Sequence, residues 1–179
     1  MRKRTNGIAA VLSLLVCGSP LLTGCSSFGG NIAFENALDK QNAGDYSGAI
    51  SDYNKVIKIN PKDADAYFNR GYSKFELGYS LGAISDYSKA IEINPMDADA
   101  YFNRGNARDE LEDYLGAISD YSKAIEINPK DADAFNSRGN IKLELEDYLG
   151  AISDYSKSIE INPNHPDAYY NLGNIKIDL

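Results

Sequence analysis

Apolar and small side chains recur along this chain at helical spacing, in short runs that stop and start again. Over 81–93, LGAISDYSKAIEI sets Ala83, Tyr87 and Ala90 on one face, small–large–small, as close packing of two helices requires. The run before it, 64–77, sorts into two arcs when turned at about 100° per residue. Ala66, Tyr67, Gly71, Ser73 and Leu77 share one arc, which reads as the packed side. Asp65, Phe68, Asn69, Tyr72, Phe75 and Glu76 share the other, which reads as open. Asp63, Asp97 and Asp131 stand directly before such runs, where a carboxylate caps orphan amides. A proline just upstream stops the preceding helix. Two helices per unit is the expectation.

The units repeat. DADAYFNRG at 63–71 recurs letter for letter at 97–105, and LGAISDYSKAIEINP at 81–95 recurs at 115–129. Pro61, Pro95, Pro129 and Pro163 are each 34 residues apart, as are Gly71, Gly105, Gly139 and Gly173. That period, with an aromatic early, glycine four later, alanine and aromatic in the second half and proline near the end, resembles the tetratricopeptide repeat. The resemblance spans 31–179 and implies an all-α, right-handed superhelical solenoid of antiparallel helix pairs. It divides the chain into repeats 30–63, 64–97, 98–131 and 132–165, with a closing helix at 166–179. The family's usual Trp is Tyr67, Tyr101, Phe135 and Tyr169 here, and the first repeat departs furthest, with Ala33 and Ala37 at the aromatic and glycine positions.

In that family the open arc of each first helix lines a concave groove for peptides. The resemblance therefore implies a groove built from Asp65, Phe68, Asn69 and Tyr72, then Asp99, Phe102, Asn103 and Asn106. Asn136 and Asn140 continue it, and Tyr170 and Asn174 end it. Its asparagines could donate and accept against an extended backbone. No Lys or Arg falls on this arc, so a neutral or basic segment with aliphatic or aromatic anchors is the expected ligand. The alternative is that these polar side chains only solvate the inner face.

Arg70, Arg104 and Arg138 fall instead within the packed arc, where a stranded charge would cost several kcal/mol. Each has an aspartate eighteen residues upstream, Asp52, Asp86 and Asp120, which suggests inter-repeat bridges that stop before Asp154. An anion-binding stripe is the competing reading.

The N-terminus is of another kind. Arg2, Lys3 and Arg4 precede an apolar stretch over 8–16, too short for a transmembrane helix, which needs about 20 apolar residues. Leu22-Thr23-Gly24-Cys25 follows and resembles the lipobox of bacterial lipoproteins. The resemblance implies cleavage of 1–24, a diacylglycerol on Cys25, a short tether over 25–30 and an exported, envelope-facing domain. Cys17 would leave with the signal. A chain beginning at Cys25 would lose three positive charges, carrying −11 in place of −8. Nucleic acid is then a poor partner, because cationic side chains must neutralise its phosphates.

Catalytic chemistry has no sequence support. Counted from Asp97, the sixth and twelfth places of a calcium loop, which need glycine and glutamate, hold Phe102 and Arg108. His165 is a lone histidine in a loop, and no phosphate loop, nucleophile elbow or zinc helix occurs. No cofactor is implied. The expectation is a non-enzymatic, membrane-tethered interaction scaffold. The alternative is a structural subunit of an envelope secretion, pilus or outer-membrane assembly complex. Ile175 and Leu179 are spaced to leave an apolar strip on the last helix, through which the chain could self-associate.

Overall fold

The computed structural model describes residues 24–178, with side chains over 30–175. The signal segment expected at 1–24 falls almost wholly outside the described residues, as do the Cys25 side chain and Leu179. Among the described residues there are nine α-helices and no strand. They are α1 (Gly24–Asn42), α2 (Tyr46–Ile59), α3 (Ala64–Glu76), α4 (Ser80–Ile93), α5 (Ala98–Asp109), α6 (Tyr114–Ile127), α7 (Ala132–Glu144), α8 (Tyr148–Ile161) and α9 (Pro166–Asp178). The stretch 25–30, expected as a tether, is helical from Gly24 onward. It extends a helix already nucleated by packing on α2, and elongation is far easier than nucleation.

Each helix packs on the next, making antiparallel pairs α1–α2, α3–α4, α5–α6 and α7–α8, with α9 closing against α8. First helices also touch one another, α1 to α3, α3 to α5 and α7 to α9, so they form an inner layer. Ala49, Ala83, Ala117 and Ala151 are fully buried beside Tyr53, Tyr87, Tyr121 and Tyr155. The tyrosine ring fills the space left by a glycine of the facing helix. A Cβ on Gly105 would lie 2.7 Å from the Tyr121 ring.

The two-arc division fails for the first helices. Phe68 and Phe102, expected on the open arc, are 0% and 5% exposed, each with its ring centroid 5.7 Å from that of Tyr87 or Tyr121. Asn69, Asn103, Tyr72 and Asn136 are buried as well. A helix with one neighbour has one buried face. An inner-layer helix here has its own second helix, the previous second helix and adjoining first helices, so only a narrow strip stays open. Ile175 is also buried, packed with Ala151 and Tyr155, and so does not form the exposed strip expected at the C-terminus.

Aspartates cap helices as expected. Asp63, Asp97 and Asp131 accept from amides three residues on at 3.0–3.1 Å, and Asp45, Asp113 and Asp147 do the same for second helices. The turn ahead of each second helix has a left-handed residue followed by this cap. Gly44 (φ 82°) and Asp45 supply both parts. The second repeat has Gly78 but caps with Tyr79, which makes no side-chain bond. The third and fourth have the aspartate but force Glu112 and Glu146 to φ near 60°. Restoring the missing part is expected to stabilise: Tyr79→Asp by about 1 kcal/mol and Glu112→Gly by about 1 kcal/mol. Urea unfolding midpoints measure both.

Candidate interaction surface

The arginines come first, because their placement decides the charge of the inner face. Arg70, Arg104 and Arg138 do not reach upstream to Asp52, Asp86 and Asp120. Each holds the aspartate sixteen residues downstream, in its own repeat, through two nitrogens: Asp86 at 2.8 and 2.6 Å, Asp120 at 2.9 and 2.6 Å, Asp154 at 2.8 and 2.7 Å. The hairpin is antiparallel, so residues at equal distance from its turn meet. A second cation joins each aspartate, Lys74 at 2.8 Å, Arg108 at 3.0 Å and Lys142 at 2.8 Å. Asp52 faces Asn36 at the arginine position and is held by Lys40 and Lys55, both at 2.6 Å. These cations hold the Asp52 carboxyl below the usual carboxylate range, Lys40 contributing most.

The inter-repeat link survives in another form. The remaining guanidinium nitrogen, Nη1, donates to the previous repeat: Arg70 to Asn54 at 2.6 Å, Arg104 to Ser88 and Arg138 to Ser122 at 3.0 Å. The guanidinium carbons also lie 5.4–5.6 Å from the ring centroids of Tyr67, Tyr101 and Phe135. Beside this row runs a furrow of about 530 Å³ containing Tyr101, Arg104, Arg108 and Lys123. Its cations are taken by Asp120 and Glu126, which leaves the anion-stripe reading without a free charge.

The asparagines behave differently from an open ladder. Asn69 and Asn103 donate back to the carbonyls of Asp65 and Asp99 at 2.9 Å. Gln41 links Asn69 to Ser73 between α1 and α3, and Asn171 donates to Asn140 at 2.9 Å between α9 and α7. Asn106 and Asn140 accept the hydroxyls of Tyr121 and Tyr155 at 2.8 and 2.9 Å. Much of the expected groove chemistry thus joins inner-layer helices to each other and to the second helices.

An open part remains. A cleft of about 350 Å³ runs across α5, α7 and the start of α9, lined by Phe102, Asn106, Asp133, Asn136, Ser137, His165 and Asp167. Of the sequence-expected groove, it gathers Phe102, Asn106 and Asn136. Asp65 and Asp99 are half-buried outside it, Asn140 lies beside it, and Tyr170 and Asn174 are exposed on α9. His165 was missed as a groove residue. It stands where Asp63, Asp97 and Asp131 cap other helices. Its Nδ1 accepts from the Ala168 amide at 3.4 Å, and its Nε2 lies 3.3 Å from Asp133. The 34-residue register could have shown this, since His165 follows Asp131 by one period.

Every Lys and Arg of α3, α5 and α7 is committed to the buried aspartates just described. Carboxylates gather at the C-terminal ends of α5 and α7. Asp109 is pushed above the usual carboxylate range, first by burial and then by Glu144 and Glu110.

Profiles of the tetratricopeptide repeat match 42–78, 82–111 and 139–176, and further ones match 64–96, 98–131 and 121–153. The chain belongs to the tetratricopeptide-repeat family, and its fold is that of a protein-interaction scaffold. No curated protein matches it. Among solved structures, MamA is similar at 27% identity with a TM-score of 0.80, covering 84% of this chain and 82% of that one. The first TPR of Spaghetti (RPAP3), bound to the HSP90 peptide SRMEEVD, is similar at 27% identity with a TM-score of 0.63, covering 64% of this chain and 91% of that one. YrrB, described as a TPR protein with an unusual peptide-binding site, shares the fold at 22% identity with a TM-score of 0.72, covering 82% of this chain and 75% of that one.

Proposed function

We propose that this protein is a non-enzymatic scaffold that takes extended, cation-bearing segments of partner proteins into the cleft across α5, α7 and α9. One observation carries the reading: α5 and α7 use their cations internally, so the cleft presents Asp133 and Asp167 beside Phe102 and the amides of Asn106 and Asn136. An acidic segment such as the peptide bound by the RPAP3 domain would meet like charge here. A lysine or arginine would find carboxylates, and its aliphatic stem would find the Phe102 ring.

Titration of the chain with two extended peptides of equal length, one lysine-rich and one aspartate-rich, tests the proposal. The lysine-rich peptide is expected to bind, with affinity falling as salt rises. Asp133→Asn with Asp167→Asn is expected to weaken it severalfold without loss of stability, both side chains being exposed. Equal binding of the acidic peptide would refute the charge logic.

Anchoring belongs to the same proposal. The order of basic cluster, apolar stretch and Leu22-Thr23-Gly24-Cys25 supports cleavage before Cys25 and a diacylglycerol on its sulfur. Two or three acyl chains suffice for stable membrane attachment. With helical backbone from Gly24, the solenoid would stand close to the bilayer of a bacterial envelope. Cys25→Ser is expected to release the protein into the soluble fraction, and intact-mass measurement reads the modification directly.

A further inference from the structure

His165 breaks the 34-residue period at a cap, and its ring lines the cleft. Asp63, Asp97 and Asp131 fill this position in the earlier repeats, each accepting from the amide three residues on. His165 does the same through a ring nitrogen, its Nδ1 accepting from the Ala168 amide at 3.4 Å. An accepting nitrogen carries no proton, so the neutral ring holds its proton on Nε2. That nitrogen lies 3.3 Å from Oδ1 of Asp133 on α7. The imidazole is 7% exposed, whereas Asp133 is open to solvent. One ring therefore serves both the start of α9 and a carboxylate of the cleft.

The exchange of aspartate for histidine has a chemical consequence. An aspartate cap keeps its charge through the neutral range, whereas histidine is the side chain whose charge changes between pH 5 and 8. A second proton can enter only at Nδ1, where it removes the acceptor that caps α9 and turns a donor toward the Ala168 N–H. The resulting cation is opposed by the positive end of α9 and drawn by carboxylates. Around the cleft these are Asp133 from α7 and Asp167 from α9, while α5 contributes Phe102 and Asn106, neither of which titrates. The same two carboxylates are what a ligand's lysine or arginine would use. Proton and ligand cation thus compete for one pool of negative charge, and each weakens the other's binding by the same factor.

We propose that His165 makes the cleft's hold on cationic segments depend on pH: the neutral ring caps α9 and leaves Asp133 to the ligand, whereas the imidazolium takes Asp133 for itself. The proposal rests on the cleft being the binding site for such segments. His165 acts through Asp133 and is a positioning residue.

The test titrates the lysine-rich peptide into the full chain at pH 8 and at pH 5.5, at one ionic strength. Binding is expected to be about fivefold weaker at pH 5.5. Lysine keeps its charge over this interval, and so do ordinary carboxylates. Asp109, raised by burial, titrates alike in the parent and in a His165 variant. In His165→Asn, whose side-chain oxygen can still cap α9, affinity is expected to be equal at the two pH values. Equal affinity of the parent at both, or an equal fall in both chains, overturns the role of His165 and leaves the cleft standing. No binding at either pH overturns the cleft reading, and this inference with it. His165 is the sole histidine, so the ring nitrogens of the 15N-labelled parent report it alone. Their shifts at pH 8 are expected to place the proton on Nε2. A proton on Nδ1 overturns the proposal without any ligand.

Discussion

Replacing Arg104 and Arg108 together with methionine is expected to lower the unfolding free energy by about 3–5 kcal/mol, whereas either replacement alone costs much less. Asp120 is buried, and its two oxygens receive Arg104 at 2.9 and 2.6 Å and Arg108 at 3.0 Å. Losing one arginine leaves a charged partner in place, so the carboxylate stays neutralised. Losing both strands a carboxylate beneath the α5–α6 hairpin, and desolvation is then uncompensated. The double loss should therefore exceed the sum of the singles, which is the signature of a shared partner. Adding Asp120→Leu to the double variant should recover most of the stability, because an apolar group of similar size removes the buried charge. Chemical denaturation of the five chains measures this. Additive singles, or no rescue, would show that Asp120 reaches water in another way.

The same cluster shows how far the residues could be read in advance. The 34-residue period, the helix pairs, the aspartate caps and the need to neutralise buried arginines all follow from local spacing. The pairing direction did not. Arg70 and Asp86 lie eight residues either side of Gly78, so folding at that turn brings them together. Arg70 and Asp52 lie on opposite sides of a different turn, centred on Lys62, which aligns Asn54 and not Asp52 with the guanidinium. The groove shows a second limit. A helical wheel assumes one buried face, yet Phe68, Asn69 and Asn103 are covered because inner-layer helices have neighbours on several sides. Phe102, Asn106 and Asn136 do line the cleft, in a strip narrower than a wheel's open half. His165 falls in the register of the capping aspartates, but a wheel centred on helix interiors passes over a cap.

Raising the pH from about 8 to about 11 is expected to remove about 4 kcal/mol of stability through Tyr53, Tyr87 and Tyr121 alone, at about 1.4 kcal/mol each. All three rings are buried, and burial is the main cause that raises their hydroxyl pKa values above the ordinary 10. Tyr155 is pushed up to about 12, mainly by burial and then by Glu144. The unfolded chain thus gives up these protons first. Stability is intact below about pH 10 and falls above it until the folded tyrosines ionise in turn. Lys40, raised by its bond to Asp52, acts in the same direction, so substitutions are needed to isolate the tyrosines. They divide into two kinds. Tyr121 and Tyr155 donate to Asn106 and Asn140, whereas the Tyr53 and Tyr87 hydroxyls find Leu38 and Tyr72 at that register and have no partner among the described residues. Tyr53→Phe with Tyr87→Phe should therefore leave stability near pH 8 unchanged or improved, because it deletes unsatisfied buried hydroxyls. The same pair should recover roughly 3 kcal/mol near pH 11. Tyr121→Phe should instead cost about 1 kcal/mol near pH 8, because it leaves Asn106 without its donor. Denaturation midpoints at the two pH values, read with tyrosinate absorbance, distinguish these outcomes. A midpoint that stays level up to pH 11 in the parent chain would mean that water reaches the rings.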